Sequence, residues 1–468
     1  MSPAVDDAIK NISGRMTDGV LACLFANSLP NTLDTTVYAF TIAASNATQD
    51  DAYVITGDID AMWLRDSTNQ VLPYLKFGFV RQDPRLKALL RGLVYRQTRY
   101  VLSDPFANAF QQDEDSYPSP HDDDQTTSCG FANTRKDAMD NQLVYERKYE
   151  LDSLAAFLKL SNEYFEATGD LAPFAAGTDW VAAVSAAMGA MRAMQADTGA
   201  YATGACPPYL FQRQALEPTD TLSHGLGFPG AAGTGLVRSM FRPSDDATKL
   251  PFLVPANAMA ARELRRALPL LAKAGAPAAV QQEAASLASD IANGLKYHAV
   301  IVDRNAAEED AYYAYEVDGY GNSYFMDDAN IPSLLSLPLL GFCAKNDTLY
   351  RNTRKRILDA RRNPYFFSGI ANGSFPVEGV GGPHVGLGMI WPMGIMVRAL
   401  TSDDDREIAR CLAMLRVASA DTGFNHESFW QGNPWQFTRK WFAWANSLFG
   451  ELILTIARER PHLIFRGA

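Results

Sequence analysis

Leu151-Asp-Ser-Leu-Ala-Ala-Phe-Leu-Lys-Leu-Ser-Asn-Glu-Tyr-Phe-Glu-Ala-Thr168, closed by Gly169, sets the pattern of the whole chain. Leu151, Leu154, Leu158 and Phe165 recur at helical spacing, so one apolar face is expected along an amphipathic helix. The glycine that follows is a helix stop. Trp180 to Gln195 repeats the arrangement with Val181, Val184, Met188 and Met191. Further helices are expected over Thr68–Gly78, Pro84–Ser103, Ala256–Lys273, Ala278–Ala292, Pro332–Leu340, Leu349–Arg361, Asp404–Ala418 and Lys440–Glu459. With segments near the N-terminus and around Gly388–Leu400, the count approaches a dozen. Alternating strand patterns are few, the best being Tyr312 to Tyr320, read as a hairpin arm or loop. About a dozen helices joined by long polar loops, with no linker between separate cores, fit one all-α domain over residues 1–468. The expected architecture is a closed double ring of helices, an (α/α)6 toroid.

Bulk composition agrees with a large buried core. Of the 468 residues 47% are hydrophobic and only 20% charged, which argues against disorder. The net charge of −11 offers no basic stripe, so nucleic acid is not an expected partner. No apolar run is long enough for a membrane span, and the start Met-Ser-Pro-Ala-Val-Asp-Asp lacks the pattern of a signal peptide. The compartment and the oligomeric state are not legible. The five cysteines, Cys23, Cys129, Cys206, Cys343 and Cys411, form no C-x-x-C or Cys/His cluster, so no metal or other cofactor is expected. Cys129 and Cys206 lie in loop-like sequence and could pair. Sequons at Asn11, Asn46, Asn346 and Asn372 only weakly favour a secreted origin. The acidic excursion from Gln112 to Lys136 reads as a solvated loop rather than a Ca²⁺ site, since its aspartates stand in a block.

The chemistry concentrates in polar loops rich in aromatics. Asp421-Thr-Gly-Phe-Asn-His-Glu-Ser-Phe-Trp430 leads to Arg439-Lys-Trp-Phe-Ala-Trp-Ala-Asn-Ser447. It places the carboxylate of Glu427 beside His426, Asn425 and Trp430, before a helix that opens with Trp441. Aromatic faces stack on the apolar faces of sugar rings, while amides, imidazoles and carboxylates take the hydroxyls. Phe241-Arg-Pro-Ser-Asp-Asp246 sets two carboxylates side by side. Asp245 and Asp246 could be helix caps, or an acid whose neighbour raises its pKa. In Gly57-Asp-Ile-Asp-Ala-Met-Trp-Leu-Arg-Asp-Ser67, Trp63, Arg65 and Asp66 could grip vicinal hydroxyls, or Arg65 and Asp66 could be a buried brace. Glu150 and Asp152, in Glu146-Arg-Lys-Tyr-Glu-Leu-Asp-Ser153, put dense charge at the start of an apolar helix. Asp327, Asp328 and His384 lie in loops of the same style. No serine-hydrolase elbow, phosphate-binding loop or dinucleotide fingerprint is present. Paired carboxylates with aromatic platforms remain, the equipment of glycoside hydrolysis.

Taken together these motifs resemble glycoside hydrolase family 125. Those carrying the resemblance are Gly57–Ser67, Asp104-Pro-Phe-Ala-Asn-Ala-Phe110, Glu146–Glu150, Phe241–Asp246, Met326-Asp-Asp-Ala-Asn-Ile-Pro-Ser-Leu-Leu335, and His426-Glu-Ser428 through Ser447. The resemblance implies an (α/α)6 toroid and an inverting exo-α-1,6-mannosidase that needs no metal and acts on mannose-containing glycans. It implies that Glu427 is the general base and that Arg-Pro-Ser-Asp-Asp supplies the general acid, Asp245 first and Asp246 as the alternative. Arg65 and Asp66 would grip the terminal mannose. The other readings are a glucoamylase-like or trehalase-like inverting glycosidase, a sugar epimerase on the same toroid, which the scarcity of histidine opposes, and a sugar-binding protein without catalysis.

Overall fold

Five helices are buried on every side for most of their length, polar residues included. A computed structural model describes residues 2–43, 49–116, 120–121, 124–127, 142–303, 310–371 and 373–467. Among these lie twelve α-helices of nine residues or more. They are α1 (Pro3–Ser13), α2 (Gly19–Ser28), α3 (Leu64–Lys76), α4 (Pro84–Ser103), α5 (Leu151–Thr168), α6 (Trp180–Ala193), α7 (Val254–Lys273), α8 (Ala278–His298), α9 (Thr348–Ile357), α10 (Pro392–Leu400), α11 (Asp405–Ala418) and α12 (Ala443–Glu459). In α3 every residue from Leu64 to Leu75 is buried, and the same holds from Leu151 to Asn162 in α5 and Ala443 to Leu454 in α12. By contrast α8 buries a single stripe of Ala284, Leu287, Ala288, Ile291, Gly294 and Leu295. A helix buried all round belongs inside another layer, and one with a single apolar stripe belongs outside.

The packing follows that division. The inner helices α3, α5, α7, α10 and α12 form a ring in which α12 packs on α3, α3 on α5, α5 on α7 and α10 on α12. The outer helices α8 and α11 lie against α7 and α10, and α2 lies against α12. Between α7 and α10 the ring is closed by the segment 326–341. Gly341 lies against the Arg262 side chain of α7, and Gly394 of α10 lies against Ala329.

That segment corrects the expected helix over Pro332–Leu340, which is a series of turns. Its backbone groups are taken by side chains. The Asp327 carboxylate accepts from the amides of Leu334 and Leu335, at 2.8 and 2.9 Å, and the Ser336 hydroxyl accepts from the Ser333 amide. Such local bonds compete with the helical ladder, and Pro338 removes a further donor. The turns still fill the sixth inner position of an (α/α)6 toroid.

Among the described residues seven small sheets of two or three strands decorate the ring. The stretch Tyr312 to Tyr320 is split between two of them: Asp310–Tyr313 pairs with Val300–Asp303, and Glu316–Val317 pairs with Phe252–Leu253. Three sheets end directly at inner helices, because Met62–Trp63 runs into α3, Phe252–Leu253 into α7, and Met389–Ile390 almost into α10. The N-terminal ends of these helices are therefore pinned by backbone pairing. Cys206 is disulfide-bonded, and Cys23, Cys343 and Cys411 are free thiols. Cys129, Asn46, Asn372 and most of the acidic excursion fall outside the described residues. Among the described residues no helix is long and apolar enough to cross a membrane.

Candidate active site

At the N-terminal ends of the inner helices a cavity is lined by Thr56, Ile59, Trp63, Arg65, Asp66, Pro243, Ser244, Asp245, Asn330, His384, Trp391, Glu427, Arg439, Phe442 and Trp444. Some of these residues, far apart in sequence, meet here because they immediately precede or open an inner helix. Trp63, Arg65 and Asp66 stand at the start of α3, Trp391 just before α10, and Phe442 and Trp444 at the start of α12. The amide ends of these helices also favour the carboxylates gathered around them.

The floor is built on Arg65. Its side chain is buried, and its Nη1 donates to Glu150 Oε2 at 2.5 Å and to Asp152 Oδ2 at 3.3 Å. Nη2 donates to Asp245 Oδ1 at 3.4 Å, and Nε lies 3.4 Å from Asp66 Oδ2. Its guanidinium carbon stands 5.7 Å from the centre of the Trp444 ring. Four carboxyls thus surround one buried cation. Burial pushes Asp66 and Asp152 up to about 6 against the pull of Arg65. Removing the cation while leaving the acids is the costly way to break such a cluster. Arg65→Met should therefore destabilise the fold by about 3–5 kcal/mol. Denaturant unfolding checks this, and a change under 1 kcal/mol would show that the acids do not depend on Arg65.

Asp245 and Asp246 face different ways. Asp245 lies at the tip of a tight turn, where its amide donates to the Arg242 carbonyl at 2.9 Å and the Arg242 amide donates to the Asp246 carbonyl at 2.8 Å. Its φ of 67° is left-handed, a conformation that a residue with a side chain adopts only under local constraint. The constraint comes from the buried pair of Arg242 and Glu316, 2.6 Å apart. Glu316 also accepts from the amides of Lys249 and Leu250. The Asp245 side chain keeps 30% of its surface exposed towards the cavity. Burial raises its proton affinity, but Arg65, Lys148 and His384 together hold it down at about 2. Glu150, on the neighbouring nitrogen of the same guanidinium, is pushed well up by burial. Asp246 is turned away. It accepts from the Ser244 hydroxyl at 2.9 Å and lies 3.6 Å from His384 Nδ1.

Glu427 faces the cavity from another wall. Its Oε2 accepts from the Thr438 hydroxyl at 2.7 Å and its Oε1 from Arg439 Nε at 3.0 Å, while Arg439 also pairs with Asp58. The hairpin Phe429–Trp430/Asn433–Phe437 brings these partners together, since Glu427 precedes its first strand and Thr438 follows its second. Asp58 rides on the loop opened by Gly57, whose φ is 135° and whose Cα lies against the edge of Trp441, leaving no room for a Cβ.

His384 carries the charge that balances this wall. Burial alone would lower its pKa, but Asp246, Asp245 and Glu427 raise it from 6.5 to about 9. The stabilisation from the charged ring is full below about pH 6.5 and is lost as pH rises towards 9. Unfolding free energy should fall between pH 7 and 9, and His384→Gln should flatten that slope. An unchanged slope would mean that another group titrates.

Several expected site residues support the cavity without lining it. Glu150 and Asp152 reach it only through Arg65. Asp327 holds the 333–336 turns, where burial pushes it up to about 8. Asp328 accepts from Asn330, which does line the cavity. His426 stacks on Phe437 with centroids 3.8 Å apart, its Nδ1 is 2.9 Å from the Arg439 carbonyl, and burial lowers its pKa. Trp441 packs behind Gly57, and Trp430 rests on Gly388. Thr438, Lys148, Asn330 and Trp391 were not singled out from sequence, because their roles depend on partners that only the fold supplies. The arrangement suits a sugar. Trp63 Nε1 and Trp391 Nε1 are buried donors without hydrogen-bond partners, belonging to residues that line the cavity, and Asp66 Oδ2 has only its ion pair with Arg65 Nε. Sugar hydroxyls satisfy such atoms.

Comparison with known proteins agrees with this equipment. Residues 18–454 match the GH125 family, metal-independent alpha-mannosidases. The Meiotically up-regulated gene 157 protein of Schizosaccharomyces pombe is 42% identical over 470 residues, covering 100% of this chain and 88% of that one. A metal-independent alpha-mannosidase of Streptococcus pneumoniae, solved in a non-productive complex with alpha-1,6-mannobiose, superposes with a TM-score of 0.84 at 34% identity over 97% of both chains. A bacterial glucoamylase shares the fold alone, with a TM-score of 0.52 and 12% identity over 94% of this chain and 55% of its own. With the family match running from α2 into α12, the chain belongs to the GH125 glycoside hydrolases, the metal-independent alpha-mannosidases.

Proposed function

We propose that the chain removes terminal α-1,6-linked mannose from the non-reducing end of oligosaccharides or glycans, with inversion. The observation that carries this reading is that Asp245 and Glu427, each held by its own cationic partner, line one cavity whose other walls include two tryptophans with unbonded indole N–H groups. Glu427 is the general base. Arg439 and Thr438 fix both its oxygens and leave lone pairs free to take a proton from water. Asp245 is the general acid that protonates the departing oxygen. Asp66, Trp63 and Trp391 hold the hydroxyls of the terminal sugar, and Arg65 keeps the acids in place. The linkage is inferred from the mannobiose seen in the streptococcal relative.

A panel of α-1,2-, α-1,3- and α-1,6-mannobiose with aryl α-mannoside and α-glucoside tests this reading. The expected result is turnover of the α-1,6-linked disaccharide and the aryl mannoside, unchanged by EDTA. A preference for the glucoside would turn the assignment towards the glucoamylase-like reading. Loss on chelation, restored by Ca²⁺, would reject metal independence for this chain.

A further inference from the structure

We propose that Lys148 is a positioning residue for Asp245: its buried ammonium holds the carbonyl of the left-handed turn and so sets where the carboxyl points. The inference rests on the assignment of Asp245 as the acid. Lys148 lies between the strand Val144–Glu146 and α5, and its side chain is buried. Its Nζ donates to the Asp245 carbonyl at 2.9 Å and to Asp220 Oδ1 at 2.5 Å, and it lies 3.7 Å from Glu146 Oε1. The centre of the Phe241 ring is 5.1 Å away. An ammonium has three protons to donate and cannot accept. Letting go of the Asp245 carbonyl would leave a buried charge short of an acceptor, which is costly.

Lys148 is itself anchored from several parts of the chain. Its amide donates to Asn108 Oδ1 at 3.1 Å, which fixes the backbone from which the side chain reaches. Asp220 lies in the long connection between α6 and α7 and is shared with Arg213 at 3.2 Å. Arg213 also holds Glu146 at 3.0 Å and, at 2.6 Å, Asp124 of the acidic excursion. The same connection reaches the turn directly, since the Ala247 amide donates to the Thr219 carbonyl at 2.7 Å. Lys148 is therefore where two long loops are tied to the acid. Asp245 needs such a hold. Its φ of 67° persists only where the surroundings impose it, and a misplacement of about 1 Å at a reacting group can cost about 10²-fold in rate. The Arg242–Glu316 pair holds the turn at its start, and Lys148 holds it at Asp245 itself.

Lys148→Met keeps much of the side chain's length and removes its three donors. It strands neither acid, since Arg213 still pairs with Asp220 and Glu146. The variant should lose about 10²-fold in kcat/KM on α-1,6-mannobiose. It should keep most of its turnover of a dinitrophenyl α-mannoside, whose leaving group needs little protonation, and that turnover also shows that it folds. The Lys148 charge lowers the proton affinity of Asp245. Removing it favours the protonated acid, so a fall in rate reports lost position and not lost protonation. In Asp245→Asn the same substitution should cost little more on mannobiose, because Lys148 acts through the carboxyl already removed. Unchanged mannobiose turnover, equal losses on both substrates, or losses that multiply in full in the double variant would overturn the proposal. Should Lys148→Met not fold, Asp220→Asn loosens the ammonium without removing it. A loss selective for mannobiose is then expected, and an equal loss on both substrates overturns the proposal. If Asp245→Asn shows leaving-group dependence and Lys148→Met does not, the acid assignment stands and this inference fails. If Asp245→Asn shows none, the acid assignment fails and this inference with it.

Discussion

Glu427→Gln is expected to lower kcat/KM about 10²–10⁴-fold on α-1,6-mannobiose and on an activated aryl α-mannoside alike, because water must be deprotonated whatever the leaving group. Glutamine keeps the size of the side chain and still accepts from Thr438 through its carbonyl. It sets an amide against Arg439, however, and has no basic oxygen to offer water. The loss should appear in kcat. Azide should restore part of the turnover of α-mannosyl fluoride, since a small anion substitutes for activated water. A variant that keeps activity on the aryl substrate would show that the base lies elsewhere.

The second large effect distinguishes the two adjacent aspartates. Asp245→Asn should lower kcat/KM on α-1,6-mannobiose by about 10²–10⁴-fold while sparing an aryl mannoside with a good leaving group. Asp246→Asn should act differently. Asp246 is turned towards Ser244 and His384, with 5% of its side chain exposed, so its loss releases the imidazole that it holds. Both substrates should suffer equally. The reverse pattern, with leaving-group dependence in Asp246→Asn, would make Asp246 the acid. Steady-state kinetics on the two substrates decides between them.

Much of the toroid could be read from periodicity, because outer helices such as α8 carry one clean apolar stripe and inner helices such as α5 end at a glycine. The 332–340 turns were misread because Leu334, Leu335, Leu337 and Leu340 mimic a helical face. Nothing in the local sequence says that Asp327 takes the amides a helix would need. The two-residue strands at the mouth were too short to signal themselves. At the site, the motifs that carry Glu427, Asp245, Arg65 and Asp66 stood out, since polar residues among aromatics are unusual. The choice between the two adjacent aspartates did not. Asp245 and Asp246 are adjacent in sequence, and only the left-handed turn sends one into the cavity and the other behind it. His426 and Trp441 looked like sugar contacts for the same reason as Glu427, but each is spent on shaping the loops that hold Arg439 and Asp58.

The account turns on direct attack by water, with Glu427 as base and Asp245 as acid. Proton NMR of the sugar first released from α-1,6-mannobiose by the intact chain tests this most directly, read before mutarotation mixes the anomers. The account predicts β-mannose as the initial product. Initial release of α-mannose would contradict it, because retention requires a covalent intermediate and a nucleophilic carboxylate in place of the base.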